Sequence, residues 1–275
     1  MNIAFIGGGN MASALIAGLS GTLTASANIH VIDPSDAALA KLKDQFGVST
    51  ASAIDGNLAR ADVIVLAVKP QQMRDVAATL LPQLSSQALV LSIAAGIRGA
   101  DLARWLGGHR AIVRSMPNTP ALIGQGITGM VAMEGVSAQQ KAAADSIMKA
   151  VGQTVWLDDE AQIDPVTAVS GSGPAYVFYF IEAMQQAAVE LGLSESQGKQ
   201  LALATFTGAA QLAAQSDEPV PLLRERVTSK GGTTYAALTS MQESGVKEKI
   251  VAAIKAAAAR GRELGDELGK DVGKD

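Results

Sequence analysis

Short β-type runs alternate with helical stretches in the first half of the chain. The clearest run covers residues 63–68, which are continuously apolar and mostly β-branched, as a parallel strand covered on both faces requires. Strands alternating with helices predict right-handed βαβ units and an open, doubly wound α/β sheet. The predicted strands are 3–6, 28–32, 63–68, 88–93 and 111–113, and the predicted helices include 11–19 and 37–46.

The second half has helical spacing throughout. Pro174 can open a helix in its first turn, and Gly192 suits the C-terminal cap of that helix. Ser194 and Gln197 form a capping-box pattern for the next helix, which the spacing extends to about Gln215.

Two more helical segments follow a proline-containing connector at 216–221, and no strand pattern occurs after Leu157. Residues 269–275 are expected to fray. The sequence therefore predicts an α/β domain at 1–160 and an all-helical domain at 161–275.

Composition narrows the functional classes. The chain has 275 residues, of which 48% are hydrophobic, so it can bury a large core. It contains no cysteine and two histidines, which excludes thiol chemistry and makes a metal centre unexpected. A net charge of −4 with 4% aromatic residues is unlike a nucleic-acid-binding surface. Because no leader or bilayer-length apolar run is found, we expect a soluble, cytoplasmic protein without a membrane partner.

A glycine-rich turn follows the first strand. Gly7, Gly8, Gly9, Asn10, Met11 and Ala12 have the form G-x-G-x-x-A and open the first helix. Gly7 permits the turn, Gly9 lets a pyrophosphate approach the backbone, and the helix N-terminus offers free N–H groups. The motif alone would suit an ordinary turn, but its place in the first βαβ unit predicts dinucleotide binding.

Asp33 ends the second predicted strand. An acidic side chain there can bind a ribose 2′-hydroxyl and would repel a 2′-phosphate, so taken alone it favours NAD. The alternative interpretation is that Asp33 only caps the helix that starts near Asp36.

Three other strand ends carry candidate ligand contacts, because ligands of open α/β sheets bind at the carboxyl ends of strands. Lys69 and Pro70 follow the central strand, and Lys69 could reach a cofactor phosphate or simply face solvent. The small residues at 92–96 leave room for a flat ring, and two prolines stiffen residues 116–120. Ordinary loop chemistry is the alternative for both.

Two polar, glycine-containing loops lie in the helical half. Residues 170–176 could bind an anion or merely join two helices. Residues 228–234 combine hydroxyls with Gly231 and Gly232, and consecutive N–H groups in such a run can form a nest for a carboxylate. The residues alone leave binding and structural roles equally open for this loop.

Together these segments resemble pyrroline-5-carboxylate reductases, the enzymes of the last step of proline synthesis, over essentially the whole chain. The resemblance is strongest in the signature that starts at Val227 and continues to Gln242. The matching segments are 5–11, 67–71, 92–96, 116–120, 170–176 and 227–242.

The resemblance implies roles for individual residues. It implies cofactor contacts from the glycine turn, from the second strand end and from the loops after the central strands: Gly7, Gly8, Gly9, Asn10, Met11, Asp33, Val68, Lys69, Pro70 and Ala95. It implies substrate contacts from Asn118, at the floor of the site, and from Ser229, Gly231, Gly232, Thr233 and Thr234. It places Thr234, the catalytic candidate, near the ring nitrogen. It implies NADP as cofactor, with NAD as the alternative, and no metal.

The implied reaction moves hydride from the nicotinamide to C5 of a cyclic imine that carries a carboxylate. An imine can arrive protonated near neutral pH, so positioning and water exclusion matter more than acid–base residues. His30 and His109 are accordingly expected to be structural or surface residues. The resemblance also implies a homodimer formed by the helical domains, assembled further into rings such as decamers.

Two alternatives remain open. Another imine or β-hydroxyacid reductase could share the two-domain layout, but β-hydroxyacid enzymes need a catalytic lysine in the helical domain. Lys199 is the only lysine between Trp156 and Lys230, and its surroundings do not resemble such a site. A dinucleotide sensor without catalytic activity is the second alternative.

Overall fold

The protein's structure is a computed structural model that describes residues 1–270, in which eight strands form one sheet. Their spatial order is β3-β2-β1-β4-β5-β6-β7-β8. All neighbouring pairs are parallel except β6 and β7, which are antiparallel. The strands are β1 Ile3–Ile6, β2 Ile29–Ile32, β3 Ser49–Ala51, β4 Val63–Leu66, β5 Leu89–Ser92, β6 Ile112–Met116, β7 Gly126–Ala132 and β8 Gly152–Trp156.

Helices connect most of these strands and form most of the described chain after β8. They are α1 Asn10–Leu19, α2 Asp36–Phe46, α3 Met73–Leu80, α4 Gly99–Trp105, α5 Ala138–Lys149, α6 Ile163–Val166, α7 Gly173–Glu190, α8 Glu195–Gln215, α9 Val220–Arg226, α10 Thr233–Glu243 and α11 Val246–Leu268. The predicted fold class, an α/β dinucleotide-binding sheet followed by a helical region, is confirmed.

Helices cover the sheet on both faces. On one face α1 packs through Leu15 and Ile16, and on the other α3 packs through Met73 and Leu80, all at 0% exposure. Each such side chain contributes about 1.5–3 kcal/mol relative to an exposed one. Burial on both faces explains why the central strands consist of continuous apolar runs.

The sequence pattern missed three strands, β3, β7 and β8. β3 has only three residues, too few for a clear period. β7 contains two glycines, which usually weaken a strand. At Gly129 the reason is packing, since a Cβ there would lie 2.6 Å from Cγ1 of Val166. The glycine thus allows α6 to approach the strand closely.

The chain packs as two compact units. The first contains residues 1–172 and the part of α11 from Ala257 onward, and the second contains Gly173–Ala256. These units are defined by packing alone. Packing does not test the functional division at residue 160, which stays a prediction.

The capping box predicted in the helical half is confirmed, whereas the predicted connector at 216–221 differs in length. The capping box of α8 is present, with Ser194 Oγ accepting from Gln197 N at 3.3 Å. The connector before α9 is shorter than predicted, because the helix already begins at Val220, directly after Pro219.

The end of α11 is better anchored than the sequence suggests. The carbonyl of Gly269 accepts a hydrogen bond from Arg104 Nη2 at 2.8 Å, so the expected fraying does not begin there. Residues 271–275, for which fraying was also expected, lie outside the described residues. Within residues 1–270, no helix has both the length and the apolar character needed to cross a membrane.

Candidate active site

The candidate cofactor residues meet at the carboxyl edge of the sheet. Gly7 N donates to Ile32 O and Ala67 N donates to Ile6 O, both at 2.8 Å, so the ends of β2, β1 and β4 are level. The strand order reverses between β1 and β4, and this crevice is where open α/β sheets bind their ligands.

The glycine turn is tightly packed at Gly7 and open at Gly9. Gly7 has φ of +104°, and a Cβ there would lie 2.6 Å from Ala67 O. A Cβ on Gly9 would meet nothing within 4 Å, so the space above Gly9 is open. Gly9 is also the N-cap of α1 and makes no side-chain cap. The first N–H groups of α1 therefore remain available to an anion beside Asn10 and Met11.

Asp33 contacts the glycine turn directly. Its Oδ2 accepts from Gly8 N at 2.7 Å, and its Oδ1 accepts from Ser35 N at 2.8 Å. The cap of α2 is Ser35, whose Oγ accepts from Ala38 N at 3.3 Å, so the interpretation of Asp33 as the helix cap is wrong. Its carboxylate instead places a negative charge beside the turn.

The residues after β4 turn away from the sheet at once. Val68 is half-buried and Lys69 is exposed. Lys69 precedes the short 3-10 turn Pro70–Gln72, which leads into α3. An exposed ammonium at this strand end can reach a bound phosphate or ribose.

The turn between β5 and α4 carries Ala95. Ala95 is half-buried, whereas its neighbours Ala94 and Ile97 are 7% and 1% exposed and fix the turn to the core. Gly96 has φ of +73°, which favours glycine. After the turn, the side-chain hydrogen bond between Arg98 Nη2 and Asp266 Oδ1 (2.6 Å) raises the pKa of Arg98.

Asn118 lies near the end of β6 and is 9% exposed. Its Oδ1 accepts from Ile127 N at 3.0 Å and its Nδ2 donates to Ser170 O at 3.2 Å. The oxygen and the nitrogen of the carboxamide are thus both hydrogen-bonded within the chain, which suits a residue in the floor of the site. A direct contact with substrate stays a prediction.

The loop that begins at Ser170 joins helices. Residues Thr167–Gly171 form a π-helix, and Ser170 Oγ donates to Val166 O at 3.0 Å. A Cβ on Gly171 would lie 2.5 Å from Met116 Cε, so the glycine is needed for packing. These contacts favour the joining role over anion binding.

Two residues with a place beside the turn of Ala95 were missed by the sequence analysis. Arg114 is 5% exposed in β6, and Glu160 forms an ion pair with it. An arginine inside an apolar strand was the available signal, because a buried guanidinium needs a partner. The identity of that partner, 46 residues away, cannot be read from local sequence.

The candidate substrate loop lies in the second compact unit and ends at a helix start. Gly231 has φ of +74°, and Gly232 is the N-cap of α10 without a side-chain cap. Thr233 and Thr234 are therefore the first residues of a helix whose initial N–H groups remain available to a carboxylate. Ser229 and Thr233 are exposed, and Thr234 is half-buried.

Both histidines contact other parts of the first compact unit. His30 Nδ1 lies 2.8 Å from Ser49 Oγ, and its Nε2 lies 3.2 Å from Asp55 Oδ1. His109 Nε2 lies 2.9 Å from Ala88 O. All three contacts are with other segments of the fold, which suits structural roles. In residues 1–270 no cluster of three or more His, Cys, Asp or Glu side chains could hold a metal ion.

Two family models match the chain. Residues 160–264 match the model described as pyrroline-5-carboxylate reductase dimerisation. Residues 2–96 match the model described as NADP oxidoreductase coenzyme F420-dependent. The first match covers the candidate substrate loop at 228–234. The second covers the glycine turn, the candidate cofactor segment.

Curated relatives match almost end to end. The pyrroline-5-carboxylate reductase of Pseudomonas aeruginosa is 48% identical over 262 residues, covering 95% of this chain and 96% of that protein. Among solved structures, a pyrroline-5-carboxylate reductase from Coxiella burnetii has a TM-score of 0.89 at 41% identity, covering 96% of this chain and 98% of that one. The Plasmodium falciparum pyrroline carboxylate reductase with NADP bound has a TM-score of 0.86 at 32% identity, with the same coverage.

Proposed function

The chain belongs to the pyrroline-5-carboxylate reductase family, and from that premise we propose that it reduces 1-pyrroline-5-carboxylate to L-proline with NADPH as hydride donor. The observation that carries this proposal is the match to reductases over both the cofactor half and the helical half. A likeness restricted to the sheet would support only dinucleotide binding.

The pyrophosphate of the cofactor is assigned to the start of α1. The open space above Gly9 and the uncapped N–H groups at Asn10 and Met11 support this assignment. Val68, Lys69 and Pro70 then contact the riboses, and Ala95 lies against the nicotinamide. NADPH is proposed over NADH because a related structure is described with NADP bound.

The substrate carboxylate is assigned to the start of α10. Gly231, Gly232 and Thr233 provide N–H groups at an uncapped helix terminus, where negative charge is stabilised. Ser229 adds a hydroxyl, and Asn118 supports the floor of the site. Thr234 is the catalytic candidate, with its hydroxyl directed at the ring nitrogen.

The chemistry needs little acid–base assistance. Hydride adds to C5 of the protonated imine, and the electron pair of the C=N bond becomes the lone pair on nitrogen. The chain's own contribution is to hold donor and acceptor together and to exclude water. The structural roles of both histidines agree with this mechanism.

The proposed assembly is a homodimer built on the helical part, which matches the dimerisation model, with decamers as the larger form. Large apolar side chains of α7 support an interface, since Phe178 and Tyr179 are 65% and 71% exposed in the single chain. An isologous two-fold contact is the commonest arrangement. In this dimer the loop at 228–234 of one chain serves the cofactor of its partner.

We place the enzyme in the cytoplasm, with residues 1–160 binding the dinucleotide and 161–275 binding substrate and partner.

A spectrophotometric assay tests the function. The purified protein should oxidise NADPH when pyrroline-5-carboxylate is added, and proline should form in equal amount by mass spectrometry. The same protein should not reduce NADP with β-hydroxyacids, which separates the alternative dehydrogenase. Cofactor binding without turnover on pyrroline-5-carboxylate would instead support the dinucleotide sensor.

A further inference from the structure

We infer that Glu160 is a positioning residue for hydride transfer, acting through the turn that carries Ala95. The inference rests on the proposed function, because it takes Ala95 as the surface for the nicotinamide. Glu160 does not itself touch that surface. It joins the segment after the turn to a buried arginine of the neighbouring strand.

The first contact holds the start of α4. Gly99 N donates to Glu160 Oε1 at 2.6 Å. The N-cap of α4 is Arg98, whose side chain makes no cap, so Glu160 supplies the acceptor from 61 residues away. Only four positions separate Gly99 from Ala95, so this bond fixes one end of the turn.

The second contact anchors the carboxylate itself. The same Oε1 accepts from Arg114 Nη1 at 2.5 Å, and the Arg114 side chain is 6% exposed. A guanidinium at this depth needs its counter-charge in place, which restricts where Glu160 can go. Arg114 also lies opposite Ser92 in the sheet, the residue at which β5 ends and the turn begins.

The backbone of Glu160 is equally fixed. Asp159 Oδ1 accepts from Ala161 N at 2.9 Å, and Gln162 Oε1 accepts from Asp159 N at 3.2 Å. This capping box makes a stiff turn of Glu160–Gln162. Both ends of the Ala95 turn are therefore tied to one rigid group, through Gly99 at one end and the Arg114–Ser92 register at the other.

Loss of the Glu160 contacts should affect the rate of hydride transfer more than the binding of NADPH. Most of the proposed cofactor contacts lie at the glycine turn and after β4, and Glu160 touches neither. Loosening the Ala95 turn should leave NADPH bound while the nicotinamide loses its alignment with the imine. Misplacement of reacting groups by about 1 Å can reduce rate by about a hundredfold.

The test compares two double variants in which both the Arg114 and the Glu160 charges are removed. In Arg114→Met with Glu160→Gln, the amide oxygen can still accept from Gly99 N and no charge is left buried. In Arg114→Met with Glu160→Ala, that acceptor is lost. We expect kcat of the first variant within threefold of the parent and kcat of the second about tenfold or more lower, with NADPH affinity within threefold for both. Glu134→Gln, in the exposed Arg110–Glu134 pair, is the matched control and should keep parental kcat.

An isotope effect separates positioning from mere stability. With NADPH deuterated at both C4 positions, the acceptor-free variant should show a larger effect on kcat than the parent, because hydride transfer has become slower. A lowered folded fraction would reduce kcat without changing the isotope effect. Equal kcat in the two double variants, or an unchanged isotope effect beside a lowered kcat, would overturn the inference. A parent protein inactive on pyrroline-5-carboxylate would overturn the proposed function itself.

Discussion

The carboxylate of Asp33 accepts a hydrogen bond from the backbone N–H of Gly8 at 2.7 Å, which places a negative charge directly beside the glycine turn. The charge lies at the end of β2, where the adenosine ribose of a dinucleotide binds in sheets of this type. A 2′-phosphate on that ribose would meet the carboxylate. Asp33 therefore opposes the NADPH preference proposed from the related structure.

Replacing Asp33 by Asn should shift cofactor preference toward NADPH. The amide oxygen can still accept from Gly8 N, so that contact with the turn is preserved, while the charge and the acceptor for Ser35 N are removed. Loss of one like-charge repulsion near the surface is worth about 1 kcal/mol or more, so the ratio of kcat/KM for NADPH over NADH should rise at least about fivefold. Steady-state kinetics with both cofactors measure the ratio.

The control for this substitution is Asp36→Asn, because Asp36 is the exposed first residue of α2. It should leave the ratio within twofold of the parent. If Asp33→Asn behaves in the same way as this control, Asp33 has no part in discriminating the 2′-phosphate.

Gly9→Val should abolish NADPH binding while leaving the fold intact. Gly9 has φ of −71°, and its Cβ would meet nothing within 4 Å, so the chain itself tolerates a side chain. The valine would fill the space assigned to the pyrophosphate. Calorimetry should detect no NADPH binding, and the melting temperature without cofactor should stay within a few degrees of the parent.

Gly56→Val is a matched control, since a Cβ on Gly56 also meets nothing within 4 Å. It should bind NADPH normally. Retained affinity in Gly9→Val would place the pyrophosphate elsewhere. Gly7→Ala should differ from both by lowering stability, because its Cβ would collide with Ala67 O.

Thr234→Ala should lower turnover with pyrroline-5-carboxylate far more than it lowers NADPH affinity. A hydrogen bond to a charged group is worth about 1.5–3 kcal/mol, or roughly one to two decades in rate when it is expressed in the transition state. Comparing kcat with the dissociation constant for NADPH gives the result. Thr239→Ala, on another face of α10, should keep full turnover, and equal activity of both variants would remove Thr234 from the site.

The sequence predicted the sheet best where burial imposes a simple pattern. The run at 63–68 predicted a central strand because apolar residues cover both faces. The glycine turn could be located from the sequence because the backbone conformation at Gly7 requires glycine. β7 was missed because the glycines in it serve contacts with other elements, as Gly129 does with Val166. Such contacts have no local signature.

The same limit applies to the candidate site. Motifs identified Gly9, Lys69 and the loop at 228–234, since the chemistry of each is contained in a short segment. The pairing of Arg114 with Glu160 and the carboxamide contacts of Asn118 depend on distant partners. Contacts between residues so far apart in the chain are revealed only when the chain is folded.

The last prediction concerns assembly. The protein should be a dimer or an even multiple of it at micromolar concentration, whereas a particle near 28.1 kDa with full activity would exclude an obligate dimer. Phe178→Glu should weaken the dimer, because Phe178 is 65% exposed in the single chain and the substitution places a charge on this apolar part of α7. Light scattering should then show a smaller particle, and activity should fall with it if the loop at 228–234 serves the partner's cofactor. Leu81→Glu, at a similarly apolar position 42% exposed in the first unit, is the control and should keep both the parental size and activity. A monomeric Phe178→Glu variant with undiminished turnover would show that each chain completes its own site, even if the dimer is correct.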